Sequence, residues 1–181
     1  MEHEDHVDLL RDGVPRGGVW ADLGSGGGAF TLALADLLGP DGTIYSVDRD
    51  GSALRRQQDA MEVRFLALTV TYVEADYTRR LDLPPLDGIV MANALHFQRK
   101  RRQTDALRLI HGYLKPGGRL LVVEYNTDRG NLWVPHPFSY DTWERKSVEH
   151  GFSGTRKLAA RPSRHLREIY SAITFKAGAQ P

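Results

Sequence analysis

Residues 19–31 read Val-Trp-Ala-Asp-Leu-Gly-Ser-Gly-Gly-Gly-Ala-Phe-Thr. The short apolar run, with β-branched and aromatic residues, predicts a buried strand that stops at Asp22. The glycines that follow allow a sharp turn and a close approach of the backbone to a ligand. Residues 31–38 repeat at helical period before Gly39 and Pro40 end the helix. Strand, glycine loop and helix in this order predict the nucleotide-binding corner of an open α/β sheet, with the ligand beyond the carboxyl end of the strand.

The acidic residue before the loop decides which ligand this corner favours. Gly24, Gly26 and Ala29 satisfy G-x-G-x-x-A, so a dinucleotide fold is one interpretation. A pyrophosphate needs backbone N–H donors, however, and a carboxylate at Asp22 would repel it. The same carboxylate suits a ligand that carries an ammonium and a sulfonium group.

The stretch Asp22-Leu-Gly24-Ser-Gly26-Gly-Gly28 is a complete match to acidic-x-G-x-G-x-G. At these residues the sequence resembles the class I S-adenosylmethionine-dependent methyltransferases. The resemblance implies a three-layer α/β sandwich, Rossmann-like, with a seven-stranded, mostly parallel sheet and a C-terminal antiparallel hairpin. It also implies S-adenosyl-L-methionine as cofactor and S-adenosyl-L-homocysteine as product.

Later segments extend the resemblance. The strand over 43–47 ends at Asp48, whose carboxylate can accept from both ribose hydroxyls, and Arg49 follows at the adenine edge. The strand over 69–73 precedes an acid and an aromatic residue that resemble the family's adenine site. The cofactor-binding residues that the resemblance implies are Asp22, Gly24, Ser25, Gly26, Phe30, Asp48, Arg49, Ala75, Asp76, Tyr77 and Asn93.

The second half of the chain supplies the remaining elements. A strand is predicted over 87–92, and a helix over 104–114 leads through Leu-Lys-Pro-Gly-Gly into a strand over 119–124. That helix–strand junction is also very similar to these methyltransferases. A helix over 139–150 and strands over 151–160 and 168–176, joined by a turn over 161–167, complete the predicted sheet.

A general base is needed only when the nucleophile of the acceptor is protonated. His96 is the candidate, because it follows the fourth predicted strand and can titrate near neutrality; substrate orientation or simple packing is its alternative role. Glu124 and Tyr125, at the end of the fifth strand, are second choices. The irregular segment 125–138 is predicted to face the substrate through Trp133, His136 and Phe138, with packing beneath the loop as the alternative for each.

Composition limits the partners. The net charge is +1 and there is no cysteine, so neither a strong field for nucleic acid or membrane nor a thiolate metal site is expected. We expect one cytoplasmic methyltransferase domain over 1–181, without a metal, acting on a small-molecule acceptor and compatible with a homo-oligomer. The basic run 99–102 is interpreted as a solvated face in preference to a phosphate contact.

The N-terminal residues have the pattern of a short helix. Residues 2–12 form an amphipathic pattern closed by Gly13 and Pro15, and residues 1–14 are predicted to cover the cofactor. His3 and His6 lie three residues apart, so a metal pair is conceivable, although a solvated terminus is the plainer interpretation.

Two other functions remain open at this level. A nicotinamide-dependent oxidoreductase would explain the glycine loop and Asp48, but it leaves Asp22, Asp76 and the terminal hairpin unexplained. A non-catalytic S-adenosylmethionine sensor or partner subunit would keep every cofactor residue and lose only methyl transfer.

Overall fold

A computed structural model describes residues 1–65, 67–163 and 165–178 of the protein. Its elements are α1 (His3–Leu10), β1 (Gly18–Leu23), α2 (Ala29–Leu38), β2 (Gly42–Asp48), α3 (Gly51–Arg64), β3 (Thr69–Glu74), β4 (Leu86–Ala92), a 3₁₀ turn (Leu95–Phe97), α4 (Lys100–Tyr113), β5 (Leu114–Tyr125), α5 (Tyr140–Glu149), β6 (Phe152–Pro162) and β7 (Glu168–Lys176). Arg164, in the predicted turn over 161–167, and residues 179–181 of the predicted domain lie outside the described residues.

The strands form one seven-stranded sheet in the order β3-β2-β1-β4-β5-β7-β6. Strands β1 to β5 run parallel, and β7 pairs antiparallel with both β5 and β6. The predicted fold class is therefore confirmed. The strand order reverses between β1 and β4, and the crevice beyond the carboxyl ends of strands at such a point is where ligands bind in open α/β sheets.

The sheet is covered on both faces. Apolar residues of α1, α2 and α3 form one buried layer with Trp20 of β1, while α4 and α5 pack on the opposite face with Ala21 and Leu23. Burial on both faces explains why β1 is nearly continuous in apolar residues. The three predicted layers are present.

Helix α4 begins at Lys100, so the basic run 99–102 stands at the start of this helix, as the sequence predicts. One element boundary differs from the sequence prediction. Strand β5 begins at Leu114, which pairs with Leu86 before a register shift, so the Lys-Pro-Gly-Gly segment lies inside the irregular start of a strand. The cause is tertiary: β4 offers a pairing edge that a turn signal alone does not reveal.

Helix α1 packs on α2, and the cofactor-covering role expected of residues 1–14 stays a prediction. Its apolar face, with Val7, Leu9 and Leu10, is buried against α2, and Arg161 of β6 holds Asp8 at 2.8 Å. Burial of this face fixes the helix in the same layer as α2 and α3.

The two N-terminal histidines do not face a common site. The His3 ring contacts the Asp36 carboxylate, and the His6 ring lies 4.7 Å from that of Phe30. Among the described residues there is no cluster of three or more metal-ligating side chains. Within the same residues no helix is long and apolar enough to cross a membrane.

Candidate active site

The glycine loop is tied to the neighbouring strand. The backbone N–H groups of Gly24 and Ser25 both donate to the Val47 carbonyl of β2, at 2.8 and 3.1 Å. Gly28 has φ of 85°, and a Cβ there would lie 2.4 Å from Cγ of the buried Gln57. Gly28 is therefore needed for both its left-handed backbone and its close contact with α3.

A small network of polar side chains holds the glycine loop in place. The Ser46 hydroxyl donates to the Gln57 side-chain oxygen at 2.9 Å, and the Ser46 and Ser25 hydroxyl oxygens are 2.8 Å apart. The sequence prediction missed Ser46 and Gln57, because neither lies in the glycine motif. Their signal was a polar residue inside an apolar strand and a glutamine on a surface helix.

A cavity of about 740 Å³ opens at the carboxyl ends of β1 to β4. We call it the cofactor cavity; its volume lies within the range of small-molecule sites. It is lined by Gly24, Ser25, Gly26, Asp48, Arg49, Asp50, Ala75, Asp76, Tyr77, Ala92, Asn93, Ala94, Phe97, Gln98 and Arg102. Nine of the eleven residues implied by the resemblance are brought together here, and the exceptions are Asp22 and Phe30.

Asp48 stands at the end of β2 beside the glycine loop. Its Oδ2 accepts from the Gly26 N–H at 2.8 Å and its Oδ1 from the Asp50 N–H at 2.9 Å. A carboxylate oxygen can accept more than one hydrogen bond, so both oxygens keep capacity for ligand hydroxyls. The backbone contacts fix the orientation of this carboxylate before any ligand arrives.

Asp76 stands at the end of β3. Its Oδ1 accepts from the Thr78 N–H at 2.9 Å and the Thr78 hydroxyl at 2.7 Å. Burial tends to raise the pKa of Asp76, but these hydrogen bonds and the charges of Arg79 and Arg102 outweigh it and lower the pKa below its usual value. Asp76 is thus an ionised acceptor facing the cavity.

Tyr77 lines the cavity with its backbone and the edge of its ring, because its hydroxyl group is hydrogen-bonded within the protein. That hydroxyl donates to the Ala94 carbonyl at 2.8 Å, and burial raises the pKa of Tyr77 to about 12. The contact joins the end of β3 to the segment after β4, and so helps to fix both walls of the cofactor cavity.

Asp22 and Phe30 are buried and do not line the cavity, and the direct cofactor contacts expected of them stay a prediction. Asp22 is 1% exposed, and its Oδ2 accepts from the Thr31 hydroxyl at 2.6 Å. Burial raises the pKa of Asp22 to about 7, the Thr31 hydrogen bond opposes the rise, and the charge of Asp48 adds to it. Phe30 is buried under α1. The strand buries Asp22 because β1 is flanked by β2 and β4 on both sides.

Asn93 follows β4 with φ of 52°, in the left-handed region. Its side-chain oxygen Oδ1 is buried without a hydrogen-bond partner within the described ranges, and the residue lines the cavity. An unpaired buried acceptor is costly, and asparagine tolerates this backbone conformation better than most residues. Together with Asp48 and Asp76, it gives the cavity acceptor oxygens that fit a ligand rich in N–H and O–H donors.

His96 and Glu124 form a buried pair on the far side of the segment after β4. Nδ1 of His96 lies 2.9 and 3.0 Å from the two carboxylate oxygens of Glu124, and the side chains are 2% and 1% exposed. Burial raises the pKa of Glu124 above its ordinary value, although the hydrogen bond and charge of His96 and the Tyr125 N–H act against the rise. His96 does not line the cofactor cavity, but its neighbours Ala94 and Phe97 do.

The loop after β5 packs beside this pair. The His136 N–H donates to the His96 carbonyl at 3.0 Å, and Trp133 is 75% exposed on the same loop. Phe138 is different: it is buried and stacked on Trp143 at 5.6 Å, so it belongs to the core rather than to a substrate-facing wall. We call His96, Glu124 and loop 126–139 the acceptor side.

Six further residues line the cavity that the sequence did not suggest, among them Phe97 and Arg102. Phe97 is 60% exposed, and Arg102 extends from the first turn of α4. The basic run was interpreted as a solvated face, and Arg102 departs from it because its charge acts on Asp76 across the cavity lining.

The family is decided by sequence comparison. A family model described as a methyltransferase domain matches residues 21–118, more than half of the chain. The chain belongs to the S-adenosylmethionine-dependent methyltransferases. This membership disfavours the nicotinamide alternative, and S-adenosylmethionine is the cofactor of the family.

Curated relatives carry names that point to the same chemistry. A ubiquinone/menaquinone biosynthesis C-methyltransferase UbiE from Azotobacter vinelandii is 32% identical over 151 residues, which cover 81% of this chain and 59% of that protein. The protein of the same name from Ectopseudomonas mendocina is 29% identical over 171 residues, covering 92% and 66%. The methyltransferase chain thus spans about three fifths to two thirds of the length of these relatives.

Solved structures share the fold. The 1,6-didemethyltoxoflavin-N1-methyltransferase of Burkholderia thailandensis, with bound 1,6-didemethyltoxoflavin and S-adenosylhomocysteine, superposes with a TM-score of 0.76 at 18% identity and covers 97% of this chain and 78% of that one. A SAM-dependent methyltransferase from Aquifex aeolicus gives 0.74 at 17% identity, with 96% and 90% coverage.

Proposed function

We propose that this protein transfers the methyl group of S-adenosylmethionine to a small-molecule acceptor that loses a proton, with His96 as general base. The observation that carries the proposal is the juxtaposition of the cofactor cavity with the buried His96–Glu124 pair, on the two sides of the segment 93–98. A module that only senses the cofactor has no need of the second feature.

The residues of the cofactor cavity are assigned by their free acceptor capacity. Asp48 would accept from the ribose hydroxyls, Asp76 from the adenine amino group, and Asn93 from the ammonium of the methionine part. Gly24, Ser25 and Gly26 would lie against the cofactor, with Arg49, Ala75 and Tyr77 around the base. When bound, S-adenosylmethionine supplies an electrophilic methyl group on a sulfonium leaving group.

The acceptor side supplies the proton acceptor. Since Nδ1 of His96 faces Glu124, Nε2 is the ring nitrogen left to take a proton from the acceptor nucleophile as that nucleophile gains the methyl group. Glu124 would hold the ring in this tautomer and stabilise the imidazolium that forms, as the carboxylate does in a catalytic triad. Aligning the reactants and excluding water would be the other contributions of the protein.

A small acceptor is supported by two further observations. The exposed rings of Phe97 and Trp133 offer flat apolar surface near the site. The structurally similar Burkholderia enzyme is named for a small heteroaromatic compound, and the UbiE relatives for quinone biosynthesis.

Titration calorimetry with S-adenosylhomocysteine and with NAD tests the cofactor. We expect binding of the first and none of the second; the reverse result would refute the cofactor assignment. A panel of small phenolic, enolic and heterocyclic acceptors then tests transfer. Binding of S-adenosylhomocysteine without turnover of any acceptor would favour the sensor interpretation.

The His96→Ala variant tests the base. General-base catalysis contributes about 10²- to 10⁴-fold, so turnover should fall by that factor while the affinity for S-adenosylhomocysteine stays unchanged. A matched control is His150→Ala, at the half-buried position that follows the C-terminus of α5. Full turnover in His96→Ala would remove His96 as the base.

A further inference from the structure

Gln103 of α4 connects three separate segments, which are the turn that carries His96, loop 126–139 and α5. It is 2% exposed, and its side-chain nitrogen Nε2 lies 3.1 Å from the Leu95 carbonyl and 3.0 Å from each of the Gln98 and His136 carbonyls. Its Oε1 accepts from the Lys146 ammonium of α5. It does not line the cofactor cavity.

The chemistry of the partners fixes the orientation of this amide. Lys146 can only donate, and the three carbonyls can only accept. The oxygen must therefore face α5, and the NH₂ group must face the two backbone segments. The two N–H groups are shared among the three carbonyls, and a flipped amide would instead place its oxygen against those carbonyls and its NH₂ group against the ammonium.

The carbonyls that Gln103 holds bracket the residues proposed to act on the acceptor. Leu95 and Gln98 flank His96 and Phe97 in the 3₁₀ turn, and His136 belongs to the loop beside them. Because the His136 N–H also donates to the His96 carbonyl, the turn and the loop are linked twice, once directly and once through Gln103.

We propose that Gln103 is a positioning residue of the acceptor side. It clamps the His96-bearing turn to loop 126–139, so that the His96 ring and the loop hold one arrangement before an acceptor binds. Lys146 orients the clamp. The catalytic part of this inference rests on the proposed function; the clamping part does not, because it concerns the geometry of the free protein.

The variants are chosen to separate the donor from the side-chain volume. Gln103→Glu keeps the shape and the Lys146 contact but replaces the NH₂ donor by an oxygen that faces three carbonyls. Lys146→Met leaves Gln103 in place and removes the ammonium that orients it, which also lies 5.2 Å from the centroid of the Phe138 ring. Gln58→Leu, on the exposed face of α3 where Gln58 bonds only to Glu62, is the matched control.

Amide hydrogen exchange of the whole 181-residue chain, followed by NMR, measures how firmly Gln103 holds the turn and the loop together, and it needs no acceptor. The exchange of the His136 amide should become about tenfold faster in Gln103→Glu, as expected for the loss of a buried hydrogen-bonded contact. The ¹⁵N signals of the His96 ring should also shift. Lys146→Met should change the same signals to a smaller extent, and Gln58→Leu should change neither.

Turnover separates positioning from general structure. With an acceptor from the panel, kcat/KM for the acceptor should fall about tenfold or more in Gln103→Glu, while the affinity for S-adenosylhomocysteine changes less than about twofold. Unchanged His136 exchange and unchanged His96 signals in both Gln103→Glu and Lys146→Met would overturn the proposal, and so would an equal loss of cofactor affinity. If the wild-type protein methylates no acceptor, the proposed function fails and the exchange data still decide whether Gln103 is a clamp.

Discussion

The cofactor cavity and the acceptor side adjoin one another but are built in different ways. The cofactor cavity is open and is formed mainly by short segments that directly follow β1, β2, β3 and β4. The acceptor side is buried at its centre and depends on contacts between residues 28 to 43 positions apart, such as His96 with Glu124 and Gln103 with Lys146.

This difference shows how one sheet can combine a half-site built from neighbouring strand ends with one built from distant segments. Parallel strands bring their carboxyl ends to one edge, so a few acids and glycines placed there meet without help from distant residues. The acceptor side forms only when several loops and helices that are distant in sequence pack together in one arrangement. A substitution in the cofactor cavity should therefore change cofactor affinity alone. A substitution on the acceptor side should alter the geometry of several segments.

The largest effect is expected for Asp22→Asn. It tests the contrast between an open cofactor cavity and a buried acceptor side, because Asp22 is a buried acid in the strand that leads to the open cavity. A carboxyl whose pKa rises from 3.8 to about 7 on folding binds its proton more tightly in the native state. The free energy of unfolding should therefore fall between about pH 4 and pH 7, by on the order of 3–4 kcal/mol from this group. Asparagine cannot titrate and should remove that fall.

Urea unfolding at pH 5 and pH 8 measures the effect. Asp22→Asn should be more stable than the wild type at both pH values, with a clearly larger gain at pH 8 than at pH 5. The control is Asp59→Asn, an exposed carboxylate of α3. A difference from the wild type that is the same at both pH values would show that Asp22 is not held protonated by burial.

Next in size is Gly28→Ala, which tests whether the glycine loop depends on α3. The new Cβ would meet Gln57 at 2.4 Å and would sit on a backbone with φ of 85°. Overpacking and left-handed strain together should cost about 2–4 kcal/mol of stability. Thermal unfolding with Gly27→Ala as control sharpens the result, since a Cβ at Gly27 meets no atom within 4 Å. Equal stability of the two variants would argue against the tight contact.

Asp48→Ala addresses the cofactor cavity alone. Removing a charged acceptor from the ribose should cost about 1.5–3 kcal/mol, a roughly ten- to hundredfold loss of affinity for S-adenosylhomocysteine by calorimetry. The control is Asp82→Ala, an exposed carboxylate far from the cavity. Unchanged affinity in Asp48→Ala would mean that the ribose binds elsewhere.

The smallest effect on stability is expected at the loop of the acceptor side. Trp133 is 75% exposed, so Trp133→Ala should change the free energy of unfolding by less than about 0.5 kcal/mol. The KM for an acceptor should nevertheless rise severalfold, with no change in cofactor affinity. Val63→Ala, at an exposed position of α3, serves as the reference in the same assays. A loss of stability instead would assign Trp133 to packing.

Several predictions from sequence were confirmed because they depend on neighbouring residues. The strand–loop–helix of residues 19–38, the parallel order and the terminal hairpin follow from local pattern and from the few ways in which such elements connect. The features that the sequence did not predict concern side-chain direction and packing. Asp22, Phe30 and Phe138 are buried, and α1 lies on α2, because the apolar surfaces that cover them come from distant parts of the chain.

The sequence by itself determined the fold class, the glycine loop and the acids at the ends of β2 and β3, since strand ends and turns are encoded within short windows. Only the tertiary structure decided which acid faces the cavity, that His96 is paired with Glu124, and that Gln103 joins three segments. Burial and hydrogen-bond geometry depend on what lies opposite a side chain, and that partner is set by packing across the whole sheet.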